Sequence, residues 1–138
     1  MYRRILVGYD GSEPAKKAFE SALEHAVRDQ AELFVVSVTR PPEIGSDVET
    51  EAVIESSVEY HKKLLSPLQK LAAAKGVKAH FETAVGHPAE QIIYHADRHS
   101  VDLIVVGDRG RSKFAKILLG STSKNVMEHA GRPVLLVR

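Results

Sequence analysis

The chain has 138 residues with 19 Lys and Arg against 18 Asp and Glu, a formal net charge of +1, so no global field selects DNA, RNA or an anionic membrane as partner. With 43% hydrophobic and 27% charged residues it has the composition of an ordinary folded domain, and its length suits one two-sided core rather than two, so a single domain over 1–138 is expected. The absence of cysteine removes disulfides, thiolate nucleophiles and thiolate metal sites together. The first apolar run meets Asp10 too early for a signal peptide or a spanning helix, which makes the cytoplasm the expected compartment.

In chain order, residues 5–9 form a continuous apolar run closed by Asp10-Gly11-Ser12, the pattern of a strand buried on both faces and followed by a turn. Ala15, Ala18, Phe19, Ala22, Leu23 and Ala26 then recur at helical spacing, with Ser12 as N-cap and Pro14 in the first turn, where its missing N–H has no partner to lose. Residues 33–38 predict a second buried strand, and 39–47 a loop. Ile54, Val58, Leu65, Leu68 and Ala72 predict a long helical segment ending at Gly76. Pro67 interrupts it at about 3 kcal/mol for an unbroken helix, so a kink or two helices meeting at Ser66-Pro67 are expected.

Residues 77–85 alternate apolar with mostly polar positions, as a partly exposed edge strand does. Gly86-His87-Pro88 opens a helix with Ala89, Ile92, Ile93 and Ala96 on its core face, and 101–106 is a fourth, almost wholly apolar strand. A last helix over 121–130 and a last strand over 133–137 complete a β-α-β-α-β-α-β-α-β order. Parallel neighbours need crossover helices on both faces, so the fold class is α/β, an open doubly wound five-stranded sheet.

Ligands of such sheets lie outside the carboxyl ends of the strands. Here those ends are Tyr9-Asp10-Gly11-Ser12, Val38-Thr39, Val85-Gly86-His87 and Gly107-Asp108-Arg109-Gly110. Glycines at such ends serve tight turns as readily as ligands. The last end is more specific, because nine residues separate Gly110 from Gly120, which leads directly into Ser121, Thr122 and Ser123 at a helix start. Free first-turn amides, the positive end of the helix dipole and hydroxyl donors suit phosphate oxygens, with Arg109, Arg111, Lys113 and Lys116 adding charge nearby.

Gly107-x2-Gly110-x9-Gly120-Ser121-Thr122 resembles the ATP-binding signature of the universal stress proteins. Val7-Gly8-Tyr9-Asp10-Gly11-Ser12 and Gly131-Arg132-Pro133-Val134-Leu135-Leu136-Val137 resemble that family's first and closing strands, so the match runs the full length. The resemblance implies a Rossmann-like, adenine nucleotide alpha hydrolase-like sheet of order 3-2-1-4-5. It also implies that Asp10 contacts the ribose, that Val38 and Thr39 line the adenine pocket, and that amides at Gly107, Arg109, Gly110 and Gly120 with the Ser121 and Thr122 hydroxyls hold phosphates. Tyr9, Gly11, Asp108 and Ser123 fall within the same segments. The implied ligand is ATP, with ADP or AMP as alternatives and Mg2+ or Mn2+ accompanying it. Tyr9 stands at a variable family position, where its ring would crowd or stack on the base.

Asp10 suits vicinal hydroxyls and a capped turn alike. His95 and His99 stand four apart on a helix but flank its core face without a visible third ligand, so both are expected at the solvent. His87 before Pro88 reads as a turn residue, with a pocket role as the alternative. A Gly-x4-Gly-Lys-Ser/Thr phosphate loop, a Gly-x-Gly-x-x-Gly fingerprint and a Gly-x-Ser-x-Gly turn are all missing, and no base positioned for water is evident. The resulting expectation is a nucleotide-dependent stress sensor or regulator with at most slow ATP hydrolysis or autophosphorylation. The alternatives are a homodimeric scaffold of the same fold without nucleotide and, third, a true ATPase. A homodimer is expected through the edge strand Val134, Leu135, Leu136 and Val137, with no nucleic acid or membrane partner.

Overall fold

The computed structural model describes residues 1–39, 47–109 and 120–138, and the side chains of all of these except 47–58. Its elements are β1 (Arg4–Gly8), α1 (Glu13–Asp29), β2 (Glu32–Thr39), α2 (Asp47–Ala74), β3 (Ala79–Val85), α3 (Pro88–Arg98), β4 (Leu103–Gly107), α4 (Ser121–His129) and β5 (Val134–Val137). The five strands form one parallel sheet in the order β3-β2-β1-β4-β5, the order implied by the resemblance. Each strand falls within two residues of its expected span.

Strand alternation divides the core into two layers. Ile5, Val7, Leu33, Val35, Leu103 and Val105 face α1 and α2, where Phe19, Leu23 and Leu65 meet them. Leu6, Phe34, Val36, Ile104 and Val106 face the other way, onto Ala89, Ile92 and Ala96 of α3 and Val126 of α4. Ser12 caps α1 by accepting the Ala15 amide at 3.3 Å, and Gln30 closes it in the left-handed region at φ 55°.

Two expectations are corrected. Of the two outcomes foreseen at Pro67, division into two helices does not occur: the residue sits inside a single α2. Leu65, Leu68 and Ala72 are all buried on either side of it. Burying one leucine returns about 1.5–3 kcal/mol, which offsets the missing hydrogen bond. His95 and His99 are not at the solvent either. His95 is 6% exposed, and both rings face Glu82 on the polar side of β3, which α3 covers rather than leaves to water. Burial pushes the His95 imidazole below its usual value, so it is neutral at pH 7.

The far end of α3 is fastened by Arg132, whose Nη1 donates to the Ala96 and Val101 carbonyls at 2.7 and 3.1 Å and whose other nitrogen pairs with Asp97. Arg4 donates to the His99 carbonyl at 3.0 Å, and the Asp102 carboxylate accepts the Arg3 and Arg4 amides at 2.6 and 2.9 Å. The terminal carbonyls that a helix leaves open are thus met by two guanidinium groups.

Candidate functional site

The sheet order reverses between β1 and β4, and a cleft opens there at the carboxyl ends of the strands. Gly8, Tyr9 and Asp10 line it from β1, Val36 and Val38 from β2, Val106, Gly107 and Arg109 from β4, and Thr122 and Ser123 from α4. Pro88 and Ile92 of α3 supply apolar walls that the strand-end motifs do not announce; their signal in the sequence is only the helix opening directly after Gly86. The cavity bounded by the described residues has a volume of about 100 Å³. A wider hollow of about 800 Å³ lies beyond Pro88 and Thr122, between α3 and α4, with His87, Tyr94, Asp97 and His129 on its walls. It lacks the ends of β1, β2 and β4 and their converging backbone groups, so the smaller cleft is the better candidate despite its size.

Two glycines shape the cleft through contact. A Cβ on Gly8 would lie 2.7 Å from Ile92 Cδ1, so the bare backbone lets α3 approach β1. A Cβ on Gly107 would lie 2.7 Å from Pro14 Cβ and 2.8 Å from its carbonyl carbon, so this glycine seats the first turn of α1 on the end of β4. Gly107 therefore has a packing role in addition to the one implied by the resemblance. Gly11 takes φ 82°, a conformation open to glycine and strained for other residues, and turns the chain into α1.

Asp10 does cap its own turn, Oδ1 accepting the Ser12 amide at 2.9 Å, and the half-buried carboxylate also borders the cleft. Tyr9 is 6% exposed and packs with Ile5 and Val7 in the α1/α2 layer, so its ring is committed to the core; burial raises its hydroxyl pKa and keeps it protonated. Thr39 is buried, with Oγ1 3.0 Å from His61 Nδ1 of α2, and Val38 is half-buried at the cleft wall.

On the other side, the Gly120 amide donates to the Asp108 carbonyl at 2.8 Å and the Asp108 amide to Val137 at 2.7 Å, so neither amide is open to a ligand. The first bond inside α4 runs from the Lys124 amide to the Gly120 carbonyl, and Gly120 caps the helix with no side chain. The amides of Ser121, Thr122 and Ser123 are therefore the first-turn donors without a partner among the described residues. Ser123 Oγ donates to the Gly107 carbonyl and ties α4 to β4, Thr122 is half-buried at the cleft, and Ser121 is exposed beside it. Asp108 is 9% exposed and lies between Arg109 Nε at 3.5 Å and Arg138 Nε at 3.9 Å. Asp108 Oδ1 and Arg109 Nε are buried without an aligned hydrogen bond among the described residues. Gly110 and the basic residues Arg111, Lys113 and Lys116 lie outside the described residues.

The site thus joins an apolar slot between β2 and α3, a carboxylate at the end of β1, and a helix N-terminus beside an arginine. Residues 1–138 match the model of the universal stress protein family. The universal stress protein YxiE of Bacillus subtilis (strain 168) is 36% identical over 148 residues, with all of both chains covered. The solved universal stress protein UspA from Lactobacillus plantarum aligns with a TM-score of 0.91 at 27% identity, over 99% of this chain and 98% of its own. A universal stress protein crystallised in complex with cAMP aligns with a TM-score of 0.76 at 26% identity, over 99% of this chain and 97% of its own. The chain belongs to the universal stress protein family.

Proposed function

We propose that this chain binds an adenine nucleotide, ATP in the first instance, across the carboxyl ends of β1, β2 and β4 and acts as a nucleotide-dependent regulator in the cytoplasm. The observation that carries the reading is the meeting of the uncapped α4 N-terminus with Asp10 and Arg109 around one cleft at the β1/β4 switch point. Val36, Val38, Pro88 and Ile92 suit a flat apolar base, and the free oxygen of the Asp10 carboxylate suits ribose hydroxyls. The Ser121, Thr122 and Ser123 amides with Arg109 suit phosphates. The cAMP-bound relative supports an adenine nucleotide as the ligand class. Mg2+ or Mn2+ would enter with the phosphates and screen their charge; the chain's own part is to hold and orient the nucleotide, and hydrolysis is expected to be slow at most.

Isothermal titration of the nucleotide-stripped protein with Mg-ATP tests this, with Asp10→Ala and Arg109→Ala beside the wild type. Saturable binding weakened about tenfold or more in each variant is the expected result, since hydrogen bonds to charged groups contribute about 1.5–3 kcal/mol. A nucleotide present at about 100 times its Kd should also stabilise the fold by about 2.7 kcal/mol. Absence of any thermal shift with ATP would favour the second reading, a nucleotide-free scaffold. That reading draws on β5, which among the described residues pairs only with β4 and presents Val134–Val137 half-buried along the sheet edge. A homodimer through this edge is proposed under both readings, and a monomer by light scattering would refute it.

A further inference from the structure

Glu82 projects from the middle of the edge strand β3 onto the face covered by α3, where His95 in the last turn and His99 at the C-cap stand one turn apart on the same side. Glu82 Oε2 lies 2.9 Å from His95 Nδ1 and Oε1 lies 2.7 Å from His99 Nε2. One ligand atom from each of the three residues falls within 4.8 Å of the other two. We infer that Glu82, His95 and His99 form a binding site for a divalent transition-metal ion of the zinc type.

A carboxylate shared as acceptor by two imidazoles is the simpler arrangement, and it accounts for His99, whose Nε2 makes a short bond to Oε1. It does not account for His95. That side chain is 8% exposed, and its Nδ1 is aimed at the carboxylate but makes no aligned hydrogen bond among the described residues. A buried ring nitrogen beside a carboxylate without hydrogen-bond geometry is a ligand in want of a partner at the centre of the cluster.

The rings are held for the purpose. Phe34, 5% exposed, stacks on His99 with centroids 4.2 Å apart at 19°, and the two histidine rings face one another at 6.1 Å and 24°. Zinc binds imidazole nitrogen and carboxylate oxygen at about 2.0–2.2 Å, which in tetrahedral geometry sets the ligand atoms about 3.4 Å apart. Reaching it requires the two Glu82 contacts to open by about 0.5–0.7 Å and the wider gap to close, movements within the rotation of one carboxylate and two rings. Glu82 and His99, 26% and 21% exposed, leave an entry path and room for a water as fourth ligand.

Two imidazoles with one carboxylate select a borderline ion over Mg2+ or Ca2+, which favour all-oxygen sets. The negative end of the α3 dipole at His95 and His99 favours a cation further. The site lies about two turns along α3 from Pro88, and none of its three residues lines the cleft, so it is separate from any ion carried by a nucleotide and does not rest on nucleotide binding.

The test is titration of chelator-treated, dialysed protein with Zn2+ against a competing indicator, and with Co2+ by visible absorption, which reports ligand type and geometry. One saturable ion per chain with ligand-field bands of a low-coordinate nitrogen and oxygen site is expected. Affinity should fall at least about tenfold in His99→Ala and in Glu82→Gln, since even indirect changes around metal sites cost about 10–100-fold. His129→Ala, exposed on α4, should leave it unchanged. Far-UV circular dichroism and metal-free melting establish that each variant folds; His99→Gln replaces any that does not. No saturable binding to the wild type, or equal affinity in His99→Ala, Glu82→Gln and His129→Ala, would overturn the inference.

Discussion

The two ends of α3 are built from different materials. At its N-terminal end the helix borders a cleft whose shape and polar donors come from backbone: bare glycines at the ends of β1 and β4 and first-turn amides at the start of α4, with a turn through Gly11 beside it. At its C-terminal end it meets a cluster made of side chains, in which Glu82, His95, His99 and Phe34 come from β3, α3 and β2. A site of the first kind depends on what side chains leave out, and one of the second kind on where long-range packing brings them.

The most direct way to break the first end is Gly107→Val. The new side chain would meet both Cβ and backbone of Pro14, and backbone cannot step aside as a flexible side chain does. The expected loss is about 3 kcal/mol, at the upper end of overpacking effects, read as a lowered urea midpoint with an unchanged slope. Ile92→Ala comes next. Ile92 is 3% exposed beneath Gly8, and its truncation should cost about 2–4 kcal/mol through lost burial and the cavity left behind. Nucleotide affinity should fall with it by more than Zn2+ affinity does, because Ile92 lines the cleft itself and stands one turn from His95 without being a ligand.

Arg132→Ala reverses that pattern. Its guanidinium serves two carbonyls near the C-terminal end of α3, and their loss should cost about 1–3 kcal/mol of stability. Here the Zn2+ affinity should weaken and the nucleotide affinity hold. If both affinities fell equally in either variant, the two ends of α3 would be one cooperative unit and the contrast between them would be lost.

The same contrast explains what could be read from the sequence. The succession of strands and helices, the turn at Asp10-Gly11-Ser12 and the Gly107-to-Thr122 signature are written in short, local patterns, whereas the strand order comes only with the family resemblance. The amides were less legible: the spacing that marks Gly120 does not reveal that its N–H is already given to the Asp108 carbonyl. The histidine pair was visible as a spacing of four, but its third member stands thirteen residues before His95 on an edge strand whose polar face reads as solvent-facing until α3 is laid over it. The continuity of α2 through Pro67 is hidden from the sequence for a related reason, because the burial of Leu65 and Leu68 that holds the helix together is tertiary.

The smallest expected effect sharpens the comparison through pH. Asp102 anchors the Arg3 and Arg4 amides, and Arg4 in turn donates to the His99 carbonyl, so this carboxylate supports the side-chain end of α3 from below. The Arg3 amide above all holds its carboxyl below the ordinary aspartate value; burial opposes it next in size, and the Arg4 amide adds a smaller lowering. Because the folded pKa lies below the unfolded one, the contribution is complete above the unfolded value of about 3.9 and is lost as the pH falls through the folded pKa. Asp102→Asn should therefore lower stability at pH 7 by no more than about 1 kcal/mol, the residue being exposed, and the gap from wild type should close below about pH 4. Parallel urea unfolding at pH 7 and pH 3 measures it. A gap that persisted undiminished at pH 3 would mean that Asp102 acts through its shape and not its charge, leaving Arg4 as the support of the His99 end.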